Sequence, residues 1–341
     1  MTTKDVSSKN IGSFFFQYAI YFVLVILILG IAVIDPSFLS LSSFRDILLQ
    51  SSTRAIIALG AAFVLITGGV DLSAGRMVGF AAVLSASMLQ IQEYSHRFYP
   101  GMPNLPLLVP VLIAIFAGLL VGIINGAIIA WFSVPPFIAT LGSMVAVYGL
   151  NSLYFDMKPN QSQPIGGLRP DFTTDLGSGY IGTGVYSIPY IVIIALIVAL
   201  IVWVIFNKTR LGKSMYAIGG NIQAAIVSGI NVKRVLLYVY AIAGALYGLA
   251  GVMEAARTGG ATNNYGNMYE LDAIAACVVG GVSTAGGIGT VPGVLVGVLI
   301  FGVINYGLTY IGVSPYWQLI IKGLIIIAAV AFDIRKYLTK K

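Results

Sequence analysis

The chain has 341 residues, of which 58% are apolar and 9% charged, with 40 glycines, a formal net charge of +7 and a mean hydropathy of +0.94. A soluble domain carries roughly 25% charged residues, so this composition describes a polytopic membrane protein and excludes a large water-soluble domain. With one cysteine (Cys277) and one histidine (His96), the chain cannot form an internal disulfide, a thiolate metal site or a histidine-based triad.

Residues 1–13 read as a cytoplasmic N-terminus carrying Lys4 and Lys9. The first apolar run, 14–34, is longer than the apolar core of a signal peptide and ends in Asp35-Pro36 without a small-residue cleavage pattern, so it reads as a retained transmembrane helix. Apolar runs punctuated by Pro, Gly and charge predict about ten spans: 14–34, 54–68, 77–91, 107–132, 137–155, 188–206, 235–252, 270–283, 291–311 and 316–333. The expected fold is an all-α integral membrane protein with one transmembrane domain over 14–333 and a C-terminal tail at 334–341. The runs near 54–68, 77–91 and 270–283 are short or broken by glycine, a pattern of discontinuous helices lining a cavity.

Lys and Arg set the orientation. Lys4, Lys9, Arg76, Lys208, Arg210, Lys213, Lys233, Arg234, Arg335, Lys336, Lys340 and Lys341 fall on one side, against Arg45, Arg97, Lys158, Arg169 and Arg257 on the other. The positive-inside bias places both termini in the cytoplasm and accounts for the basic charge without nucleic acid. On this topology the loop 156–187 is outside, where it is either a seat for an extracytoplasmic partner or a solvated connector. The loop 207–234 is inside, with five basic residues and no acid.

Two nucleotide signatures fail on context. Gly212-Lys213-Ser214 lacks the upstream glycine of a phosphate-binding loop, that position being Asn207. The spacing Gly177, Gly179, Gly182 lies in a loop without strand–turn–helix surroundings. The sets Gly118/Gly122/Gly126, Gly244/Gly248 and Gly289/Gly293/Gly297 do sit in apolar spans and allow close helix approach, within one subunit or between two. Acids at span mouths, Asp71 beside Gly68-Gly69 and Glu270 with Asp272, either cap helices and pair with Arg76 or Arg257, or line a pathway. Gly68-Gly69-Val70 with Ser73-Ala74-Gly75 is echoed by Gly280-Gly281-Val282 with Thr284-Ala285-Gly286, as in an internal parallel repeat.

Several segments resemble the permease subunits of ribose-type sugar importers of the ATP-binding-cassette class: Gly68-Gly69-Val70-Asp71-Leu72-Ser73-Ala74-Gly75, then Ala217-Ile218-Gly219-Gly220-Asn221 with Ala224-Ala225 and Ser228-Gly229-Ile230. Tyr148-Gly149-Leu150-Asn151, Ala261-Thr262-Asn263-Asn264, Tyr269-Glu270-Leu271-Asp272 and Ile304-Asn305-Tyr306-Gly307 are most similar to the galactose/methyl-galactoside group. The resemblance implies a type II-like permease in the bacterial inner membrane, acting as a homodimer with an ATPase of two fused nucleotide-binding domains and a periplasmic galactose/glucose-binding protein. ATP and Mg would be bound by that ATPase, leaving this chain without cofactor, metal or catalytic residue.

It also implies a coupling helix near Tyr216 to Ile230, with Tyr216, Gly219, Gly220, Asn221, Gln223, Ala224, Ala225, Ser228 and Gly229 as the ATPase-coupling residues. The chain departs from the family pattern at Ile222-Gln223, where Pro-Glu is usual, and at Pro135. Sugar hydroxyls need hydrogen-bond partners, so Asp71, Ser73, Asn125, Thr140, Asn263, Asn264, Glu270 and Asp272 are the translocation-pathway candidates. Permeases for ribose or xylose share these motifs. An ion-coupled carrier using Asp71, Glu270 or Asp272, and a membrane enzyme acting on lipid-linked sugar, are the rivals from other classes.

Overall fold

A computed structural model describes Phe22 and residues 24–182 and 187–338, with side chains described as far as Ala331. The segment 1–13, the start of the first span and residues 339–341 lie outside the described residues. The chain is mostly helical, and among the described residues six helices are long and apolar enough to cross a membrane.

Helix α1 (Leu24–Ile34) stops at Asp35, whose carboxylate accepts from the Ser37 amide (3.0 Å) and opens a 3-10 turn over Pro36–Leu39. Next come α2 (Leu41–Ile66), α3 (Ala74–Met88), α4 (Leu108–Phe132), α5 (Pro136–Asp156) and α6 (Tyr190–Lys208). Two short helices, α7 (Arg210–Gly220) and α8 (Ile222–Val227), precede α9 (Val232–Thr258), α10 (Tyr269–Val279), α11 (Val291–Tyr310) and α12 (Pro315–Leu338).

Helices α2, α3 and α9 form the centre, while α1, α4, α5, α6 and α12 turn large apolar side chains such as Leu112, Leu153, Leu200 and Leu324 outward. The span expected at 54–68 is instead one continuous helix from Leu41 to Ile66. Hydropathy misses its first half because Ser, Gln and Arg interrupt it. From Ser51 onward neighbouring helices cover α2, and Ser52 returns its hydroxyl to the Leu48 carbonyl at 2.7 Å. The expected shortness does hold for α3 and α10. The 11 residues of α10 extend about 16 Å at 1.5 Å per residue, roughly half of a 30 Å hydrocarbon core.

The glycine sets close helix pairs within the chain. A Cβ at Gly118 or Gly122 would run into the backbone of Gly244 and Tyr240, which places α4 directly on α9; Gly293 and Gly297 bring α11 equally close to Gly280 and Ala276 of α10. Between α5 and α6 the described residues hold a π-helical turn (Asp171–Gly177) and a two-residue antiparallel strand pair, β1 (Tyr180–Ile181) and β2 (Ile188–Pro189). Part of this loop packs on the bundle. Phe172 and Ile165 are buried, Ile165 pairs with Ala261, Arg169 pairs with Asp171 and donates to the Leu105 carbonyl (2.6 Å), and Gly177 packs on Ala256.

Candidate functional site

At one end of the bundle α7 and α8 form a bent arm. Thr209 caps α7 through the Gly212 amide (3.2 Å), and Asn221 breaks the arm with extended backbone, accepting from the Ala224 amide at 3.0 Å. Gly229, at φ +79°, closes α8, and Asn231 caps α9 through the Arg234 amide (3.1 Å). All five basic residues of the segment, Lys208, Arg210, Lys213, Lys233 and Arg234, are exposed.

The arm is wedged into the bundle at Gly219. Its Cα lies against the Ile66 carbonyl at the end of α2 and against the Gly287 amide in the loop before α11, and these two groups are hydrogen-bonded to each other at 2.9 Å. Gly286 (φ +89°) in turn packs on Gly219 and on the Gly68 amide. The echoed glycines Gly68 (φ +80°) and Gly281 (φ +85°) turn the chain after α2 and α10, and the loop that follows Gly281 meets the arm through Gly286 and Gly287. Tyr216 donates its hydroxyl to the Gly289 carbonyl (2.7 Å), and burial pushes that phenol's pKa up, which keeps it a donor. Rings of Tyr216, Phe206 and Phe63 meet edge to face, joining α7 to α6 and α2.

The sequence-derived coupling residues divide in two. Gly219, Tyr216 and buried Ala225 face the bundle, whereas Gly220, Asn221, Gln223, Ala224, Ser228 and Gly229 face outward. Motif reading missed Ile222, Ile226 and Val227, which expose an apolar face on α8, Val227 at 89%. Their signal was available: apolar residues at i and i+4 in a helix too short to bury both sides.

Among the pathway candidates, Asp71, Ser73, Asn125 and Thr140 are brought together and buried. One Asp71 oxygen accepts from the Ser73 amide (2.9 Å) and hydroxyl (2.6 Å). Asn125 donates to the Ser73 hydroxyl (3.0 Å) and accepts from Ser143. Thr140 accepts from the Leu72 amide at 3.1 Å. This knot ties the α2–α3 crossing to α4 and α5.

Asn263 and Asn264 lie in the loop before α10, and Glu270 and Asp272 stand in its first turn. Asn263 donates to Ser152 (3.3 Å), and Asn264 is exposed. Glu270 is buried over Gly75, with one oxygen unpartnered. Asp272 pairs with Lys322 (3.4 Å), not with Arg76 or Arg257. Arg76 donates to Asn267 (2.7 Å) and lies over the Tyr148 ring; Arg257 pairs with Glu254 (2.8 Å). Glu254, 2% exposed, also accepts from Thr53 and Tyr269 (both 3.0 Å). Sequence reading missed it because the predicted span ended at 252, two residues short. Asp272 and Lys322 border a cavity of about 230 Å³ between α2, α10, α11 and α12.

A bundle of apolar helices closed on glycine seams, with a capped arm displaying apolar side chains outside it, is the architecture of a membrane permease component. The chain belongs to the family described as branched-chain amino acid transport system / permease component, whose profile matches residues 43–330. It is 57% identical to the galactose/methyl galactoside import permease protein of Haemophilus influenzae over 95% of this chain and 96% of that one. The Escherichia coli protein of the same description is 52% identical over 98% and 99% of the two chains. The ribose import permease protein of Escherichia coli is 36% identical over 98% of this chain and all of that one. No solved structure matches the chain.

Proposed function

We propose that the chain is the membrane-spanning subunit of an ATP-driven sugar importer that moves galactose, methyl galactoside or glucose across the bacterial inner membrane. The observation that carries the sugar class is identity above half, over nearly the whole length, to import permeases for galactose/methyl galactoside. The family description mentions branched-chain amino acids, but these relatives share far more of the sequence. Ribose is the second reading, favoured by relatives at 36–37% identity.

The proposed topology has ten spans (α1–α6 and α9–α12), both termini in the cytoplasm, the α7–α8 arm inside and the loop 156–187 in the periplasm. Exposed basic residues around the arm support this orientation. In the working assembly two copies of this chain stand side by side, an ATPase with two fused nucleotide-binding domains holds ATP and Mg, and a periplasmic galactose/glucose-binding protein delivers sugar. The exposed apolar face of α8 is the ATPase contact, since an uncharged six-residue helix showing Ile222 and Ile226 favours a partner's groove over water.

Motion of that ATPase reaches the membrane through Gly219, which touches the ends of α2 and of the α10–α11 loop together. Rigid-body movement of the arm then shifts both helices and alternates access to the two sides. Asn263, Asn264, Glu270 and Asp272 flank the periplasmic opening in this reading, and Asp71, Ser73, Asn125 and Thr140 hold the α2–α3 crossing beside the pathway. This chain performs no ATP chemistry itself. The test is uptake of labelled methyl galactoside by cells lacking their own galactoside importer and given this chain with its ATPase and binding protein. ATP-dependent uptake is expected; uptake by this chain alone under an ion gradient would overturn the proposal.

A further inference from the structure

We infer that the polar cavity between α2, α10, α11 and α12 is a monosaccharide site within the permease itself; this rests on the sugar-import reading above. The cavity of about 230 Å³ has room for one hexose-sized solute, and its wall mixes Ser51, Arg54, Asp272, Asn305 and Lys322 with the ring of Phe301. Membrane helices do not place that many hydrogen-bonding groups in one spot without a purpose, because each costs free energy unless it is satisfied.

Three of the groups lack a protein partner among the described residues. Ser51 is 4% exposed and its hydroxyl is unpaired; one terminal nitrogen of Arg54 and the amide oxygen of Asn305 are likewise unpaired. Arg54 leans on the Tyr269 ring, its guanidinium carbon 3.1 Å from the centroid. The unpaired set contains a donor (Arg54), an acceptor (Asn305) and a group that does both (Ser51). An anion would satisfy the donor and leave Asn305 without a partner. A neutral polyol satisfies all three, because each hydroxyl gives one hydrogen bond and takes others. Phe301 offers an apolar wall for the C–H face of a pyranose ring. Arg54 and Lys322 together outweigh Asp272, so the site repels cations, as befits an importer that does not couple to sodium.

Cys277 is the only cysteine and is buried, so Cys277→Ala provides a cysteine-free chain in which Gln318→Cys or, separately, Thr309→Cys marks the cavity. The assembled importer in membrane vesicles is treated with methyl methanethiosulfonate, and modification is followed by mass spectrometry. Galactose is expected to slow modification of both cysteines, roughly fivefold at four times its dissociation constant, while inorganic phosphate does not. Unchanged rates at both positions with saturating galactose, in vesicles that still import galactoside, would overturn the site. Protection by phosphate alone would overturn it too. Import of a different sugar by the Cys277→Ala importer overturns the galactose reading separately, and protection is then scored with that sugar.

Discussion

Gly219 lies against the main-chain carbonyl of Ile66 so closely that no Cβ fits between them, and the same position abuts the Gly287 amide. The arm proposed to meet the ATPase is thus keyed to two membrane helices at a single point. Gly220, one residue on, has open space around it.

That asymmetry gives the first prediction. Gly219→Ala forces a methyl group against backbone, an overpacking that costs about 1–3 kcal/mol, and is expected to cut transport at least severalfold while ATP hydrolysis in the assembled importer continues. Gly220→Ala is expected to transport like the parent. Parallel uptake and ATPase assays on the two variants check this; equal uptake by both would contradict the wedge.

The exposed face of α8 makes a second prediction. Ile222→Ser with Ile226→Ser removes apolar surface that folding leaves uncovered. Burial of such side chains is worth about 1.5–3 kcal/mol each, so the double variant is expected to insert normally and lose the ATPase during purification of the complex. Co-purification at the parental level would contradict docking through this face.

The polar knot around Asn125 is a matter of stability. Asn125→Leu takes one partner from the Ser73 hydroxyl, which keeps its bond to Asp71, and removes the acceptor of the Ser143 hydroxyl, each lost buried partner costing about 1–3 kcal/mol. The purified permease is expected to melt at a lower temperature in detergent, and an unchanged melting curve would contradict the placement.

Glu254 anchors a denser network. Removing one member of a buried ion pair costs about 3–5 kcal/mol, so Glu254→Ala, which leaves Arg257 unpaired, is expected to reduce the yield of folded permease sharply. Asp156→Ala, in an exposed contact with Ser162, is expected to have little effect. Size-exclusion profiles of the two variants compare them directly.

Much of this architecture is legible in the amino-acid sequence. Runs that face lipid, such as α4, α5 and α6, announce themselves by unbroken hydropathy, and glycine spacing marks the α4–α9 and α10–α11 seams. The interior is harder to read. Helix α2 hides Ser51, Ser52 and Thr53 among neighbouring helices, so a rule tuned to lipid-facing residues begins it 13 residues late, at 54 in place of 41. The arm is located by motif, but which of its sides faces the bundle depends on Asn221 breaking the helix, and only three-dimensional packing separates Gly219 from Gly220. The partners of Asp272 and Arg257 escape as well, since ion pairs across helices leave no trace in linear spacing.

The central claim is that this chain carries galactosides using energy from a separate ATPase. The most direct test places the purified chain, its ATPase and its binding protein in proteoliposomes and measures entry of labelled methyl galactoside. Entry is predicted only when ATP and both partners are present. Entry driven by a proton or sodium gradient through this chain alone, or ATP-driven entry of ribose with none of galactoside, would contradict it.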